Sequence, residues 1–168
     1  MDEDERARLA EFVASRAPAL MRVAYLLTGD LGDAEDLLQS ALAKTIPRWG
    51  SIRHSDPEGY LRAVMYREQV SWWRRLRRRR EVPIGTSDSG VRDSSADADL
   101  RLALRAALWQ LPPRQRTVVV LRYYEDLPEA RVAYLLGCSV GTVRSRTHRA
   151  ITRLRQLLPN MEPLELRR

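Results

Sequence analysis

Apolar residues recur at intervals of three and four positions through the first part of the chain, a spacing typical of amphipathic helices. The apolar positions of the first two stretches are Leu9, Phe12 and Val13, then Leu20, Val23, Ala24 and Leu27. Pro18 stands between the stretches, and a proline lacks the backbone N–H that a helix interior requires. The pattern therefore predicts two separate helices, one on either side of this proline.

Two further helical faces follow, each with its own start signal. Gly29 can end the preceding helix in a left-handed conformation, and Asp30 can cap the next one. The apolar face of that helix consists of Leu31, Ala34, Leu37, Leu38, Ala41 and Leu42. Asp56–Pro57 combines a capping residue with a first-turn proline, and it opens a helix predicted to run to about Arg80.

Residues 82–98 interrupt the helical pattern and predict a flexible linker, because they are rich in Ser, Asp and Gly and nearly free of large apolar side chains. The apolar positions that follow are Leu100, Leu104, Ala107, Leu108 and Leu111. The sequence contains no convincing strand alternation or hairpin dipeptide. The predicted fold class is all-α, with small helical domains over residues 1–81 and 99–158 and a tail over residues 159–168.

The second domain contains a predicted helix-turn-helix over residues 128–158. A short helix, Glu129–Leu136, precedes a turn at Gly137–Ser139, and a longer helix begins near Val140. Gly137 suits the left-handed position of the turn, and Ser139 can cap the second helix. The residues expected to pack between the helices are Val132, Ala133, Leu136, Val140, Val143, Ile151 and Leu154. The residues expected on the outer face of the second helix are Thr142, Arg144, Ser145, Arg146, His148 and Arg149.

Charge favours a polyanionic partner, either nucleic acid or an anionic membrane surface. The 168 residues include 29 basic and 22 acidic ones, a net charge of +7 with a pI of about 10.3. All of the basic residues except Lys44 are arginine, whose planar guanidinium pairs well with phosphates and guanine edges. An arginine-bearing second helix of a helix-turn-helix fits the DNA major groove. The alternative is a solvated basic helix on an unrelated bundle.

Two other charged clusters lie in the first domain. Trp72 and Trp73 precede a run of arginines, which suits stacking and phosphate contacts with single-stranded or opened DNA. The alternative is that one tryptophan packs in the core and the arginines are only solvated. The second cluster is acidic and lies at the start of the helix that begins near Leu31; it consists of Asp30, Asp33, Glu35 and Asp36. These carboxylates either complement the helix dipole or dock a basic partner.

Several classes of protein are not expected. Cys138 is the only cysteine, so no internal disulfide forms, and with His54 and His148 it gives too few ligands for a structural zinc site. No cofactor or metal is therefore expected, and the cytoplasm is the expected compartment. The sequence has no basic-then-apolar leader and no run near the roughly 18 apolar residues of a membrane span, so membrane insertion is not expected. The two histidines lie in different domains and no glycine-rich phosphate loop occurs, so no catalytic residues are predicted.

The ordered motifs from about Glu11 to Leu158 resemble those of extracytoplasmic function (ECF) RNA polymerase sigma factors, the minimal members of the sigma-70 family. Region 2 of the family resembles LTGDLGDAEDLLQSALAKTIPRW. Region 4 resembles LPPRQRTVVVLRYYEDLPEARVAYLLGCSVGTVRSRTHRAITRLR, in which GTVRSR is highly specific. SWWRR is similar to an actinobacterial SigE-type subgroup.

The resemblance implies a partner for each charged surface. The residues that would dock on the β′ clamp of core RNA polymerase are Asp33, Glu35, Asp36, Leu37 and Gln39. The residues that would bind the −35 promoter element are Thr142, Arg144, Ser145, Arg146, His148 and Arg149. The residues that would melt and hold the −10 element are Arg67, Trp72, Trp73, Arg74, Arg75, Arg77 and Arg78. The resemblance also implies contact with the polymerase β flap, and an anti-sigma factor as a further partner.

Two positions depart from the family pattern. Arg67, preceded by Tyr66, stands where many relatives carry an asparagine that helps to hold a flipped −10 base. The stretch Ile52–Glu58 lacks the aromatic residue that is common before this helix. The identity of the −10 base that the chain reads is therefore not predicted.

A second hypothesis is an autonomous dimeric helix-turn-helix regulator, which leaves the acidic cluster and the Trp/Arg run unexplained.

Overall fold

A computed structural model of the protein describes residues 2–79 and 96–159, with side chains for residues 2–71 and 99–159. The chain divides into two compact units, residues 1–81 and residues 82–168. The described residues form helices and turns without any strand, which confirms the all-α prediction. Most of the predicted linker falls outside the described residues, but residues 96–98, at its end, belong to a helix.

The first unit contains four α-helices and the second contains four more. In the first unit they are α1 Glu3–Thr28, α2 Leu31–Thr45, the single turn α3 Trp49–Ile52, and α4 Pro57–Arg79. In the second they are α5 Ala96–Trp109, α6 Pro113–Val119, α7 Glu129–Leu136 and α8 Val140–Leu157, with a π-helical turn at Val120–Tyr124. These counts refer to the described part of the chain.

The prediction of two helices around Pro18 is wrong, because α1 continues through this residue without a break. Leu9 lies before the proline and Leu20 and Val23 lie after it, and all three are buried. Burying one such side chain contributes about 1.5–3 kcal/mol. Together they offset the cost of about 3 kcal/mol for a proline inside a helix.

The predicted helix boundaries around Gly29 and before α4 are confirmed. Gly29 ends α1 at a φ of 83°, and its N–H donates to the carbonyl of Tyr25. The Asp30 carboxylate accepts the N–H of Asp33 at 2.9 Å, which caps α2. At the start of α4, the Asp56 carboxylate accepts the N–H of Gly59 at 2.8 Å.

Helices α1, α2 and α4 share one apolar core, and two polar side chains of α4 fix their alignment. Gln69 is fully buried, and its Nε2 donates to the carbonyl of Leu27 on α1 at 3.2 Å. Glu68, on the adjoining position, accepts from Lys44 Nζ at 2.5 Å and from Ser40 Oγ at 3.3 Å, both on α2. Because a buried polar group is costly when its partner is lost, these contacts favour a single register of α4 against its neighbours.

In the second unit, the buried guanidinium of Arg116 joins the end of α5 to α6. It donates to the carbonyls of Trp109 at 2.8 Å and Leu111 at 3.2 Å. Burial lowers the pKa of Arg116 to about 10, so the group stays protonated at neutral pH. Leu108 and Leu111 are buried here, whereas Leu100, which the apolar spacing places on the same face, is 44% exposed. Within residues 99–109, burial increases toward the end of α5, where Ala107 and Leu108 are buried.

Replacing Pro18 with alanine is expected to stabilise α1, because alanine restores the missing backbone N–H without adding bulk. The expected gain is about 1–3 kcal/mol in the opening free energy of α1, measured by amide hydrogen exchange. Pro57→Ala is the matched control, since Pro57 occupies the first turn of α4, where no helical N–H is needed. Equal effects from the two substitutions would contradict this interpretation of α1.

Candidate nucleic-acid interface

Helices α7 and α8 form the helix-turn-helix that the sequence predicts, with the predicted start and end of α7. Gly137 has a φ of 62°, in the left-handed region, and ends α7. The N–H of Cys138 donates to the carbonyl of Ala133 at 3.0 Å, which closes the turn. The Ser139 hydroxyl accepts the N–H of Thr142 at 3.1 Å and caps α8. Both conformational roles assigned to Gly137 and Ser139 are thus confirmed.

The packing between α7 and α8 follows the prediction in part. Val132, Ala133, Val143 and Leu154 are buried as expected. The positions expected to be buried but found half-buried are Leu136, Val140 and Ile151. Leu135 and Ala150 are buried in addition. Neighbouring leucines at 135 and 136 both continue the helical spacing from Val132, so the pattern alone does not choose between them.

The outer face of α8 is formed by Arg144, Ser145, His148 and Arg149, which are exposed as predicted. The other two members of the predicted set, Thr142 and Arg146, are half-buried, and both contact residues of the turn. The hydroxyl of Thr142 lies 2.9 Å from that of Ser139. Arg146 lies beside Cys138, with Nη1 4.0 Å from Sγ. These two predicted members of the outer face are therefore only partly exposed.

Residues outside the predicted set extend this basic surface. Arg153 follows Arg149 at helical spacing, and both line an open groove with Pro112 and Gln115 at the start of α6. The groove is completed by His148, Thr152 and Gln156. Its position could have been found from the i, i+4 spacing of the two arginines, but the contribution of α6 depends on the tertiary fold.

Arg144 makes a long-range ion pair. Its Nε donates to Glu129 Oε2 at 2.7 Å, which connects the fifth residue of α8 to the first residue of α7. The Arg144 side chain is 69% exposed and that of Glu129 is 29% exposed. The pair therefore lies on the open surface of the helix-turn-helix, at the N-terminal end of α8.

A second candidate surface, on α2, is acidic. Glu35, Asp36 and Gln39 are exposed, and Asp33 is half-buried beside the cap of the helix. Leu37, which the family resemblance places in the same docking set, has only 4% of its surface exposed and faces the bundle core. Its inclusion is wrong because Leu37 lies on the same helical face as the buried residues Ala34, Leu38 and Ala41.

The third candidate surface, at the end of α4, is described only at its start. Arg67 is exposed, whereas the preceding Tyr66 is fully buried in the core. The side chains of Trp72, Trp73, Arg74, Arg75, Arg77 and Arg78 lie outside the described residues. Before α4, Arg53 Nη1 lies 3.1 Å from Glu5 Oε1, and Trp49 packs against Phe12 with the ring centroids 5.2 Å apart.

Of the helices that the structure describes, none has the length and apolar character of a membrane span.

Comparison with known proteins gives the same division of the chain. The family model described as Sigma-70 region 2 matches residues 12–79, and the model described as Sigma-70, region 4 matches residues 101–154. The RNA polymerase sigma-E factor of Streptomyces avermitilis is 41% identical over 96% of this chain and 91% of its own length. The ECF RNA polymerase sigma factor SigL of Mycobacterium tuberculosis is 32% identical over 94% of this chain and 92% of its own.

A solved structure is similar as well. It is the sigma factor RpoE of Bartonella quintana in complex with the anti-sigma factor NepR, with a TM-score of 0.66 and 26% identity. The match covers 91% of this chain and 98% of the solved one.

Two glycines test the geometry of the turn. Gly137→Ala is expected to destabilise the second unit by about 1 kcal/mol, since alanine is strained at a positive φ even though open space surrounds the site. Gly141 lies inside α8, and a Cβ added there would meet only the Ser139 hydroxyl, at 3.8 Å. Gly141→Ala is therefore expected to stabilise the second unit by up to ~1 kcal/mol. Urea denaturation of both variants measures the difference. A stabilising Gly137→Ala substitution would contradict the assigned turn.

Proposed function

The chain belongs to the ECF class of the sigma-70 family, and from this premise we propose which of its exposed surfaces binds each partner of a sigma factor. It binds core RNA polymerase and directs promoter-specific initiation of transcription. The observation that carries the division of labour is the separation of charge: an exposed acidic face on α2 in one unit and an exposed arginine-rich face on α8 in the other.

The second unit is proposed to bind the −35 element through α8. Arg144 and Arg149 are exposed on a helix of the size that the major groove admits, and arginine can bridge O6 and N7 of guanine. Ser145 and His148 lie on the same face and are suited to phosphate or base contacts. Thr142 and Arg146 contact the turn and lie at the edge of this face. The same unit is proposed to meet the polymerase β flap, as in the family.

The acidic face of α2 is proposed to dock on the β′ clamp of the polymerase. Glu35, Asp36 and Gln39 offer exposed polar groups, and Asp33 adjoins them at the helix start. Their backbone is held rigidly, because the opposite face of α2 is buried and Lys44 and Ser40 contact Glu68 of α4. A docking surface on a packed helix loses little conformational entropy when its partner binds.

Helix α4 is proposed to hold the opened −10 strand. Arg67 is exposed directly beside Glu68 and Gln69, whose contacts hold α4 on its neighbours. For Trp72, Trp73 and the arginines at 74, 75, 77 and 78 the proposal rests on their sequence alone: aromatic faces for stacking next to dense positive charge. The base read at −10 is not assigned.

We further propose an anti-sigma factor as a partner, because the similar sigma factor of Bartonella quintana was solved with one. Such a protein would act by covering the surfaces that bind polymerase or DNA. The polymerase supplies the chemistry of RNA synthesis, so the proposed role of this chain is non-catalytic. The proposed place of action is the cytoplasm, where polymerase and chromosome meet.

Reversing one charge on α2 tests the docking proposal. Asp36→Arg is expected to weaken assembly with core polymerase at least tenfold. The substitution replaces an exposed negative charge with a positive one, which repels a basic partner. Titration of labelled protein with core polymerase, followed by fluorescence anisotropy, gives the affinity. Glu11→Arg makes the same change of charge at an exposed site on α1 and is expected to leave assembly unaffected. An unchanged affinity for Asp36→Arg would contradict the assignment of this face.

Removing one arginine tests the −35 proposal. Arg149→Ala is expected to lower the affinity of the holoenzyme for its promoter by about 5- to 100-fold, the range for one good base contact. Arg105→Ala removes an exposed arginine from α5 and is the matched control for charge. The affinities come from electrophoretic shifts of promoter DNA at fixed salt. Equal losses from both variants would indicate only non-specific attraction.

A further inference from the structure

The ion pair between α7 and α8 restrains an arginine that stands on the proposed DNA-binding face. Only one edge of the Arg144 guanidinium is engaged: Nε donates to Glu129 Oε2 at 2.7 Å. Within the described residues, this guanidinium has no other hydrogen bond or ion pair. Since the side chain is 69% exposed, its two Nη groups remain accessible to a ligand.

The chemistry of the guanidinium makes this arrangement suitable for reading a base. A guanidinium has five N–H donors in a rigid plane, and two parallel donors match O6 and N7 of guanine. Glu129 occupies the donor on Nε and leaves the paired Nη edge available. The plane of the group is then set before DNA arrives, so less side-chain freedom is lost on binding.

Glu129 has a second effect, through its charge. A carboxylate beside Arg144 repels the phosphate backbone and partly neutralises the arginine, so it lowers non-specific attraction to DNA. An exposed ion pair of this kind adds little to the stability of the fold. Its position at the N-terminal end of α8 places it instead where a recognition helix contacts base edges.

We propose that Glu129 is a positioning residue that commits Arg144 to a guanine in the −35 element and away from the phosphate backbone. The inference rests on the proposed function of α8 and adds a specificity determinant from outside that helix. Arg144 supplies the contact with DNA, and Glu129 acts through it.

The test uses the reconstituted holoenzyme and promoter fragments taken from its own transcription start sites. Each guanine of the −35 element is replaced in turn, and the ratio of affinities for original and replaced DNA is measured by competition. Wild-type protein is expected to discriminate at one guanine by tenfold or more, and Arg144→Ala is expected to abolish that ratio. Glu129→Ala is expected to reduce the ratio several-fold while affinity for unrelated DNA stays equal or rises. Glu129→Gln, which keeps an acceptor oxygen, is expected to retain part of it.

Asp126→Asn is the control for charge alone. Asp126 is exposed in the same unit, and asparagine tolerates its positive φ of 52°. This variant is expected to keep the wild-type ratio, and Glu129→Ala combined with Arg144→Ala is expected to match Arg144→Ala alone. A wild-type ratio in Glu129→Ala, or an equal reduction in Asp126→Asn, would overturn the role of Glu129. If wild-type holoenzyme shows no dependence on any −35 base, the proposed function of α8 itself fails.

Discussion

Burial of one apolar face on α2 and one on α8 is the constraint on which both candidate binding surfaces depend. On α2, the buried face of Ala34, Leu38 and Ala41 leaves the carboxylates of Glu35 and Asp36 exposed. On α8, burial of Val143, Ala150 and Leu154 leaves Arg144, Arg149 and Arg153 exposed in the same way. Each helix is thus oriented by its core, and the orientation decides which charged side chains a partner can reach. Packing in two small cores therefore exposes an acidic surface on α2 and a basic surface on α8.

Small cores need additional means of fixing helix register, and buried polar groups provide them here. Gln69 binds a carbonyl at the end of α1, and Glu68 binds side chains of α2, so that α4 has a single favourable position. Arg116 performs a similar task between α5 and α6. It remains charged at neutral pH although burial lowers its pKa to about 10. Such groups add specificity because any shifted packing would leave them without their partners.

The features predicted best from sequence depend on local rules. The caps at Asp30, Asp56 and Ser139 and the left-handed glycines follow from side-chain chemistry within a few residues. The errors occur where distant residues decide. Pro18 remains helical because both halves of α1 pack into one core. Leu37 is buried in the same core and is therefore not part of the exposed acidic surface. The pair of Arg144 and Glu129 spans fifteen positions and has no periodic signal.

The central claim is that this chain gives core polymerase its promoter specificity, and run-off transcription tests it most directly. Purified core polymerase is supplied with a pool of genomic promoter fragments, with and without the protein. Discrete new start sites that appear only with the protein, and that share upstream elements near −35 and −10, are the expected result. The absence of new starts, together with binding of duplex DNA by the protein alone as a dimer, would contradict the account and favour an autonomous regulator.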